Sequence, residues 1–155
     1  MDGTPVVRPE HGTRRPEQTK DIMNIEQSLS KLQGSVPECV AIGLVDLTSG
    51  MLLGVRTVDS HPQEVLDLVA AATGDLFQGA NVVAIEDMFK RSRGINDSIH
   101  YFQEIVVNSE NLIHVFLRGK RHVNLVLTVV CRIKANLGMV MAKSRLGLGD
   151  VEKAF

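Results

Sequence analysis

The chain has 155 residues, of which 44% are hydrophobic and 23% are charged, and its formal net charge is -1. This length suits one domain with one core, and the composition argues against a disordered or a fibrous protein. The near-neutral charge provides no field that would concentrate nucleic acid, and the strictly apolar runs are too short to cross a membrane. We therefore expect no nucleic-acid partner, no membrane insertion and, because no secretory signal is visible, a cytoplasmic location.

The first segment of the chain is polar and irregular. Residues 1–20 combine prolines, glycines and many charged side chains, a composition that buries too little apolar surface to offset the entropy cost of ordering. We predict a flexible tail there, followed by a single domain over residues 21–155. From Asp21 to Gly34 apolar side chains recur at helical spacing, which predicts a short first helix. They are Ile22, Ile25, Leu29 and Leu32.

Two strand-like segments follow the first helix. Residues 39–45 are apolar at successive positions, which is typical of a strand in a sheet whose two faces are both covered. A turn sequence over residues 46–50 leads into a second strand-like run over residues 51–58. The pattern predicts an antiparallel hairpin.

A long helix is predicted from Pro62 to about Arg91, with Asp59 or Ser60 as its N-cap. Its apolar side chains cover more than the one stripe that packing against a sheet requires. One stripe comprises Val65, Val69, Ala72, Leu76, Ala80 and Val83, and the surplus set comprises Leu68, Phe77, Val82, Ile85, Met88 and Phe89. Exposed apolar surface of this kind usually marks an interface, so we expect a symmetric dimer. The alternative is that the N-terminal tail or neighbouring loops cover part of this apolar surface.

The last third of the sequence predicts three strands and a helix. Strand-like runs over residues 101–107, 112–117 and 123–133 are separated by turn-rich segments, which favours an antiparallel meander. The last of these runs is apolar on both faces, so we expect it to lie in the middle of the sheet. A closing helix is predicted to begin at Asn136 and to fray near two glycines. These are Gly147 and Gly149.

The order of these elements resembles the Roadblock/dynein light chain family. Two stretches carry the resemblance. Residues 106–116 look like the hairpin between the family's third and fourth strands, and residues 132–140 look like its junction between the last strand and the last helix. In that junction we expect Asn136 to cap the helix, Leu137 to anchor it in the core and Gly138 to let it approach the sheet closely.

The resemblance implies an α+β fold of the roadblock or profilin type, an α/β/α sandwich with the topology αββαβββα. Its five-stranded antiparallel sheet would have the order 2-1-5-4-3, with the first and last helices on one face and the long helix on the other. It also implies a homodimer or a homologous heterodimer, in which the long helices pair and the third strands join. The candidate dimer contacts are Leu68, Phe77, Val82, Ile85, Phe89, Ile105 and Val107.

The sequence lacks the motifs of a catalyst. It has no Gly-x-x-x-x-Gly-Lys phosphate loop, its five histidines are scattered, and its two cysteines do not form a Cys-x-x-Cys pair. We therefore expect no enzyme activity, no metal and no cofactor. A nucleophile made from Cys39 or Cys131 with His114 or His122 is a weak alternative, because thiols inside apolar strands are inert.

The two cysteines are best interpreted as small buried hydrophobes. If the first and fifth strands are adjacent and antiparallel, however, Cys39 and Cys131 would face each other near one end of the sheet. A regulatory disulfide between them is then a hypothesis.

Two basic clusters lie in predicted loops. One comprises Lys90, Arg91 and Arg93 after the long helix, and the other comprises Arg118, Lys120, Arg121 and His122 at a hairpin tip. Solvated turns and the preference of cations for helix C-termini explain both. The sharper hypothesis is that Arg118, Lys120 and Arg121 dock an acidic site on a partner.

The leading functional hypothesis is a non-catalytic, homodimeric interaction platform. By analogy with the family it would regulate or scaffold a small Ras-like GTPase by preferring one nucleotide state. Three alternatives stay open: a scaffold or motor-complex subunit without nucleotide dependence, a profilin- or longin-like module for a small ligand, and an enzyme on a similar sandwich.

Overall fold

The computed structural model describes Gly3 and residues 16–155, and within the first helix the side chains from residue 24 onward. The helices in this part of the chain are α1 (Pro16–Ser35), α2 (Gln63–Gln78), α3 (Ala80–Arg93) and α4 (Leu137–Lys153). The strands are β1 (Cys39–Asp46), β2 (Met51–Thr57), β3 (Glu104–Asn108), β4 (Leu112–Arg118) and β5 (Leu125–Arg132).

The five strands form one antiparallel sheet in the order β2-β1-β5-β4-β3, which confirms the predicted order. β5 lies at the centre, between β1 and β4. Leu127 and Val129 of β5 belong to the core on one face of the sheet, and Val126 belongs to the core on the other. A strand in this position must be apolar at successive positions, which explains the apolar run from which it was predicted.

Helices cover the two faces of the sheet unequally. On one face α1 and α4 enclose the larger core, which includes the buried Leu29, Leu127 and Val151. On the other face α2 encloses a smaller core through Ala70 and Phe77. The predicted α/β/α sandwich is confirmed, with one well-filled layer and one partly filled layer.

The predicted long helix is interrupted at Gly79. The backbone there has φ -58° and ψ 157°, which is extended, so α2 ends at Gln78 and α3 begins at Ala80. A Cβ atom at Gly79 would lie 2.6 Å from the Asp75 carbonyl oxygen, so a side chain does not fit. The predicted fold class holds, and the topology gains one helix.

Among the described residues, one stretch, Gln63–Arg93, is long and apolar enough to cross a membrane by length and composition alone, and little of it is buried. The break at Gly79 divides it into helices of 16 and 14 residues. At about 1.5 Å per residue, neither helix reaches across the ~30 Å hydrocarbon core of a bilayer. The stretch is therefore two helices separated by the break at Gly79, and many of its apolar side chains are exposed.

Both terminal helices differ from their predicted bounds. α1 begins at Pro16 rather than at Asp21, so the end of the predicted tail is helical. The rest of that tail, apart from Gly3, lies outside the described residues. α4 runs to Lys153 and does not fray near its glycines, because Gly147 is buried within the helix layer.

At the start of α4 the expectation is right for one residue and wrong for two. Asn136 caps the helix, since its side chain accepts a hydrogen bond from a first-turn amide at 3.0 Å. Leu137 and Gly138 are both exposed, and neither packs against the sheet. Gly147 provides the close approach instead: a Cβ atom there would lie 2.3 Å from a methyl carbon of Leu32 in α1.

We predict that Gly147→Ala destabilises the fold by about 1–3 kcal/mol, because the added methyl group overpacks the contact between α1 and α4. Gly149→Ala is the matched control in the same helix, since the space around Gly149 is open. The free energy of unfolding of this control should rise by up to roughly 1 kcal/mol, because alanine has a higher helix propensity than glycine. Urea unfolding followed by circular dichroism measures both variants. Equal stabilities would contradict the packing of α1 on α4.

Candidate interaction surface

One side of α2 and α3 presents large apolar side chains to solvent. Leu68 is 66% exposed, Met88 is 63% exposed and Phe89 is 50% exposed. Monomeric soluble proteins rarely expose large contiguous apolar patches, and such patches usually mark contact sites. Within each helix the exposed residues recur at the spacing i, i+3, i+4, so they lie on one side of it. We define the helical apolar face as Val65, Leu68, Val69, Ile85, Met88 and Phe89.

β3 forms an edge of the sheet. It pairs with β4, and no strand of the described chain pairs with its other side. The side chains of Val106 and Val107 are exposed on it, whereas Ile105 is half-buried against the smaller core. An open edge presents unpaired backbone groups that can accept a strand from another chain.

A buried carboxylate connects α3 to the loop before β3. Glu86 is buried, and its two oxygens face the Tyr101 amide, which donates at 3.1 Å, and the His100 Nδ1 atom at 3.2 Å. Tyr101 also packs edge-to-face on Phe89, with 5.7 Å between the ring centroids. The loop is therefore fixed beside the helical apolar face. Sequence reasoning missed Glu86 because a single acid in an apolar helix suggests solvent, not burial.

The predicted dimer contacts fall into three groups. Leu68, Ile85, Phe89 and Val107 are exposed, and Val82 and Ile105 are half-buried. Phe77 does not belong to the surface, because it is fully buried and packs edge-to-face on Phe116 at a centroid distance of 6.4 Å. It follows Ala70 and Thr73 along the side of α2 that faces the sheet, where both are also buried.

Arg118 was predicted as a partner contact, but the structure places it in the interior. It is 2% exposed, and its guanidinium donates to the carbonyl oxygens of Phe102 at 2.9 Å, Val123 at 2.9 Å and Phe77 at 3.4 Å. The guanidinium carbon also lies 5.1 Å from the centroid of the Phe77 ring. Burial lowers the pKa of Arg118, while the charge of Glu86 raises it. Arg118 therefore organises loops and does not meet a partner.

Lys120 and Arg121 remain exposed at the tip between β4 and β5. Their backbone amides donate to the buried carboxylate of Glu152 in α4, each at 2.6 Å, and the His122 amide adds a third bond at 3.1 Å. Three amides around one carboxylate fix the tip, so the basic side chains project from a defined position. Arg145 stands nearby and forms a two-bond ion pair with Glu104, at 2.8 and 2.7 Å.

The two cysteines are register partners on neighbouring strands, β1 and β5. Both thiols are free and buried. The proximity of the Cys131 thiol lowers the pKa of Cys39, and the same interaction raises the pKa of Cys131. The arrangement meets the condition on which the disulfide hypothesis depended.

The structure separates both cysteines from His114, one of the two histidines considered as the base of a cysteine nucleophile. Cys39 and Cys131 belong to the core on the α1 and α4 side of the sheet, whereas His114 lines a cavity on the α2 side. His122 stacks on the ring of Phe155, with 5.1 Å between centroids. Within the part of the chain that the structure describes, no group of three or more His, Cys, Asp or Glu side chains could hold a metal ion.

The fold and this surface together define a small α+β domain with an exposed apolar face. No protein-family model matches the sequence, and no curated protein matches it significantly. Solved structures do match the fold. The gliding protein MglB from Thermus thermophilus superposes with a TM-score of 0.63 at 17% identity, over 86% of this chain and 90% of that chain.

Two further solved structures match the fold of this chain. An MglB with a tetrameric arrangement gives a TM-score of 0.62 at 18% identity, over 87% of this chain and 93% of that chain. The Roadblock/LC7 domain from Streptomyces avermitilis gives 0.60 at 16% identity, over 83% of this chain and 94% of that chain. The chain therefore has the fold of a roadblock-type domain, as its sequence resemblance indicated.

We predict that mild oxidation joins Cys39 to Cys131. Antiparallel register partners have Cα atoms about 4.5–5.5 Å apart, inside the range that disulfides need. Hydrogen peroxide would convert one thiol to a sulfenic acid with release of water, and the second thiol would then form the S–S bond as another water leaves. Intact-mass spectrometry should show the loss of two hydrogen atoms per chain and protection from alkylation. Cys39→Ser is the control, and free thiols after oxidation would end the hypothesis.

Proposed function

We propose that this protein is a homodimeric interaction platform that acts by binding other proteins and not by catalysis. The observation that carries the proposal is the helical apolar face together with the open edge of β3. Covering the face with a second copy would remove apolar area from water, which is worth about 25 cal/mol per Å². Small soluble domains commonly form symmetric pairs of this kind.

A single two-fold axis would use both features. Two copies of β3 that pair antiparallel would continue the sheet from one protomer into the next and satisfy the backbone groups along the open edge. The same axis would bring α2 and α3 of the two copies together, so that Leu68 and Phe89 leave water. The tetrameric arrangement of an MglB with this fold supports self-association as a use of it.

The partner that we propose is a small Ras-like GTPase. This step rests on the resemblance to the Roadblock family and on the fold shared with MglB structures. A platform can shift such a switch only if it binds one nucleotide state more tightly than the other. Lys120 and Arg121 are candidate contacts, because both are exposed on a tip that Glu152 holds in place.

The double variant Leu68→Glu, Phe89→Glu should be a folded monomer under conditions where the wild type is a dimer. Each glutamate places a charge in an interface that excludes water. The resulting loss of binding free energy at central interface residues should raise the dissociation constant of the dimer at least about a hundredfold. Sedimentation equilibrium across a dilution series measures the constant, and circular dichroism confirms that the variant is folded.

Leu146→Glu is the matched control for this experiment. Leu146 is 72% exposed, but it lies on α4, on the opposite side of the sheet from the helical apolar face. This variant should therefore dimerise like the wild type. A wild-type chain that stays monomeric at high concentration, or equal weakening by the two sets of changes, would contradict the proposed interface.

The partner is tested by affinity purification on the immobilised full chain, with GDP in one buffer and a non-hydrolysable GTP analogue in the other. We expect mass spectrometry to identify a small Ras-like GTPase, bound at least about tenfold more tightly in one state, which corresponds to ~1.4 kcal/mol of coupling. The pair Lys120→Glu, Arg121→Glu should reduce its capture, while Lys143→Glu on α4 should not. Equal binding in both states would favour a nucleotide-independent scaffold, and capture of no GTPase would refute this part of the proposal.

A further inference from the structure

A cleft lined by basic side chains lies between α4 and the tip that joins β4 to β5. Its volume is about 230 Å³, less than the roughly 300–1,000 Å³ of typical small-molecule pockets. The cleft opens over Gly149, where a Cβ atom would have no neighbour within 4 Å. Arg118 also lines it, but its guanidinium donates to carbonyl oxygens elsewhere. We define the basic cleft by the four exposed cationic side chains in its lining, Lys120, Arg121, Arg145 and Lys153.

Positive charge exceeds negative charge in the basic cleft. Of the described residues, two with carboxylates line it, Glu104 and Glu152, against the four exposed cations. Glu152 is buried and already accepts from three amides at the tip. Lys120, Arg121 and Lys153 form no ion pair with a described residue. Because the whole chain has a formal net charge of -1, the cleft is a local positive site on a nearly neutral protein.

The ion pair between Arg145 and Glu104 shows which anion fits the basic cleft. The guanidinium donates two hydrogen bonds to the carboxylate, at 2.8 and 2.7 Å, a geometry in which the fork of arginine matches a planar carboxylate. These bonds lower the pKa of Glu104, and the positive charge of Lys120 lowers it further. Both side chains of the pair are partly exposed. An exposed ion pair contributes little stability, so a carboxylate from another molecule can replace Glu104 at small cost.

We propose that the basic cleft docks an acidic segment of a partner protein. One carboxylate of that segment competes with Glu104 for Arg145, and others pair with Arg121 and Lys153, whose charges have no counterpart among the described residues. Residues 1–15 of this chain carry three arginines and two acidic residues, so their charge does not complement the cleft. The inference rests on the proposed function in one respect, because the cleft includes the tip that we assign to partner contact. It adds the chemistry of the partner's surface and two cations of α4.

A pair of short peptides tests the proposal. The probe is the blocked pentapeptide Glu-Asp-Leu-Glu-Asp, and its control is Gln-Asn-Leu-Gln-Asn, in which an amide of the same shape replaces each carboxylate. Both are titrated into the isotope-labelled full chain, and the backbone amide NMR signal of Gly149 reports on the cleft. The acidic peptide should shift this signal and bind at least about tenfold more tightly than the control peptide. Its affinity should fall as salt rises, because the paired charges are exposed.

Glu104→Gln tests the competition for Arg145. It removes the carboxylate that occupies this guanidinium, so it should tighten binding of the acidic peptide about threefold. Glu110→Gln is the matched control, because Glu110 is exposed in the turn at the opposite end of β3 and its loss changes the net charge equally. This control should change the affinity less than about 1.5-fold, since distant exposed charges are screened.

Lys153→Glu tests the cations that have no ion pair. It should weaken binding of the acidic peptide about fivefold, because it replaces an attraction in the cleft with a repulsion. Lys143→Glu changes the net charge by the same amount on the same helix, but Lys143 does not line the cleft. This control should weaken binding less than about twofold. All four side chains to be changed are exposed, and circular dichroism confirms that the variants are folded.

Several results would overturn the proposal. If the control peptide binds as tightly as the acidic one, the cleft does not recognise carboxylates. Equal effects of each variant and its matched control would mean that net charge alone attracts the peptide. Displacement of the peptide by an equal concentration of inorganic phosphate would indicate a site for small anions. Because the titration contains no GTPase, failure of GTPase capture leaves its outcome unchanged, and failure of peptide binding leaves the capture experiment to decide the proposed partner.

Discussion

β5 is paired with β1 on one side and β4 on the other, and its side chains enter two separate cores. A strand that is apolar on both faces requires a packed layer on each, because either face left in water would lose the stabilisation from burial. Leu127 and Val129 meet the layer of α1 and α4, and Val126 meets the layer of α2. The positions of α1, α2 and α4 follow from this requirement, since each of these helices contributes side chains to one of the two cores.

The two layers meet that requirement with different amounts of chain. α1 and α4 share one face and approach closely because Gly147 leaves room for Leu32. α2 covers the other face alone, and its fully buried contacts with the smaller core come from Ala70 and Phe77. Along the rest of α2 the apolar side chains of Val65, Leu68 and Val69 stay exposed. Uneven coverage of the sheet thus accounts for the exposed apolar side chains of α2.

The spacing of apolar residues along the sequence predicted most helices and strands, because it reflects which side of each element is buried. The same spacing predicted the surplus apolar surface of α2 and α3. The order of the strands needed the family resemblance, because pairing between distant strands leaves no local pattern. Single glycines are commonly tolerated in helical patterns, so the break at Gly79 went unpredicted. The prediction that Arg118 is exposed was wrong for a similar reason. Its three carbonyl partners come from distant segments, and a charged residue beside a basic turn normally lies in water.

Three buried charged side chains hold the loops around β3 and β4, and each of them bonds to at least one backbone group. Glu86 accepts from a loop amide before β3, Arg118 donates to three carbonyl oxygens, and Glu152 accepts from three amides at the tip after β4. Moving any of these loops would leave both a buried charge and several backbone groups unpaired, which is costly in a dry interior. The rim beside the open edge of β3 is therefore held in one conformation. That property suits the platform that we propose, because a surface that adapted to both states of a partner would bind them equally and shift neither.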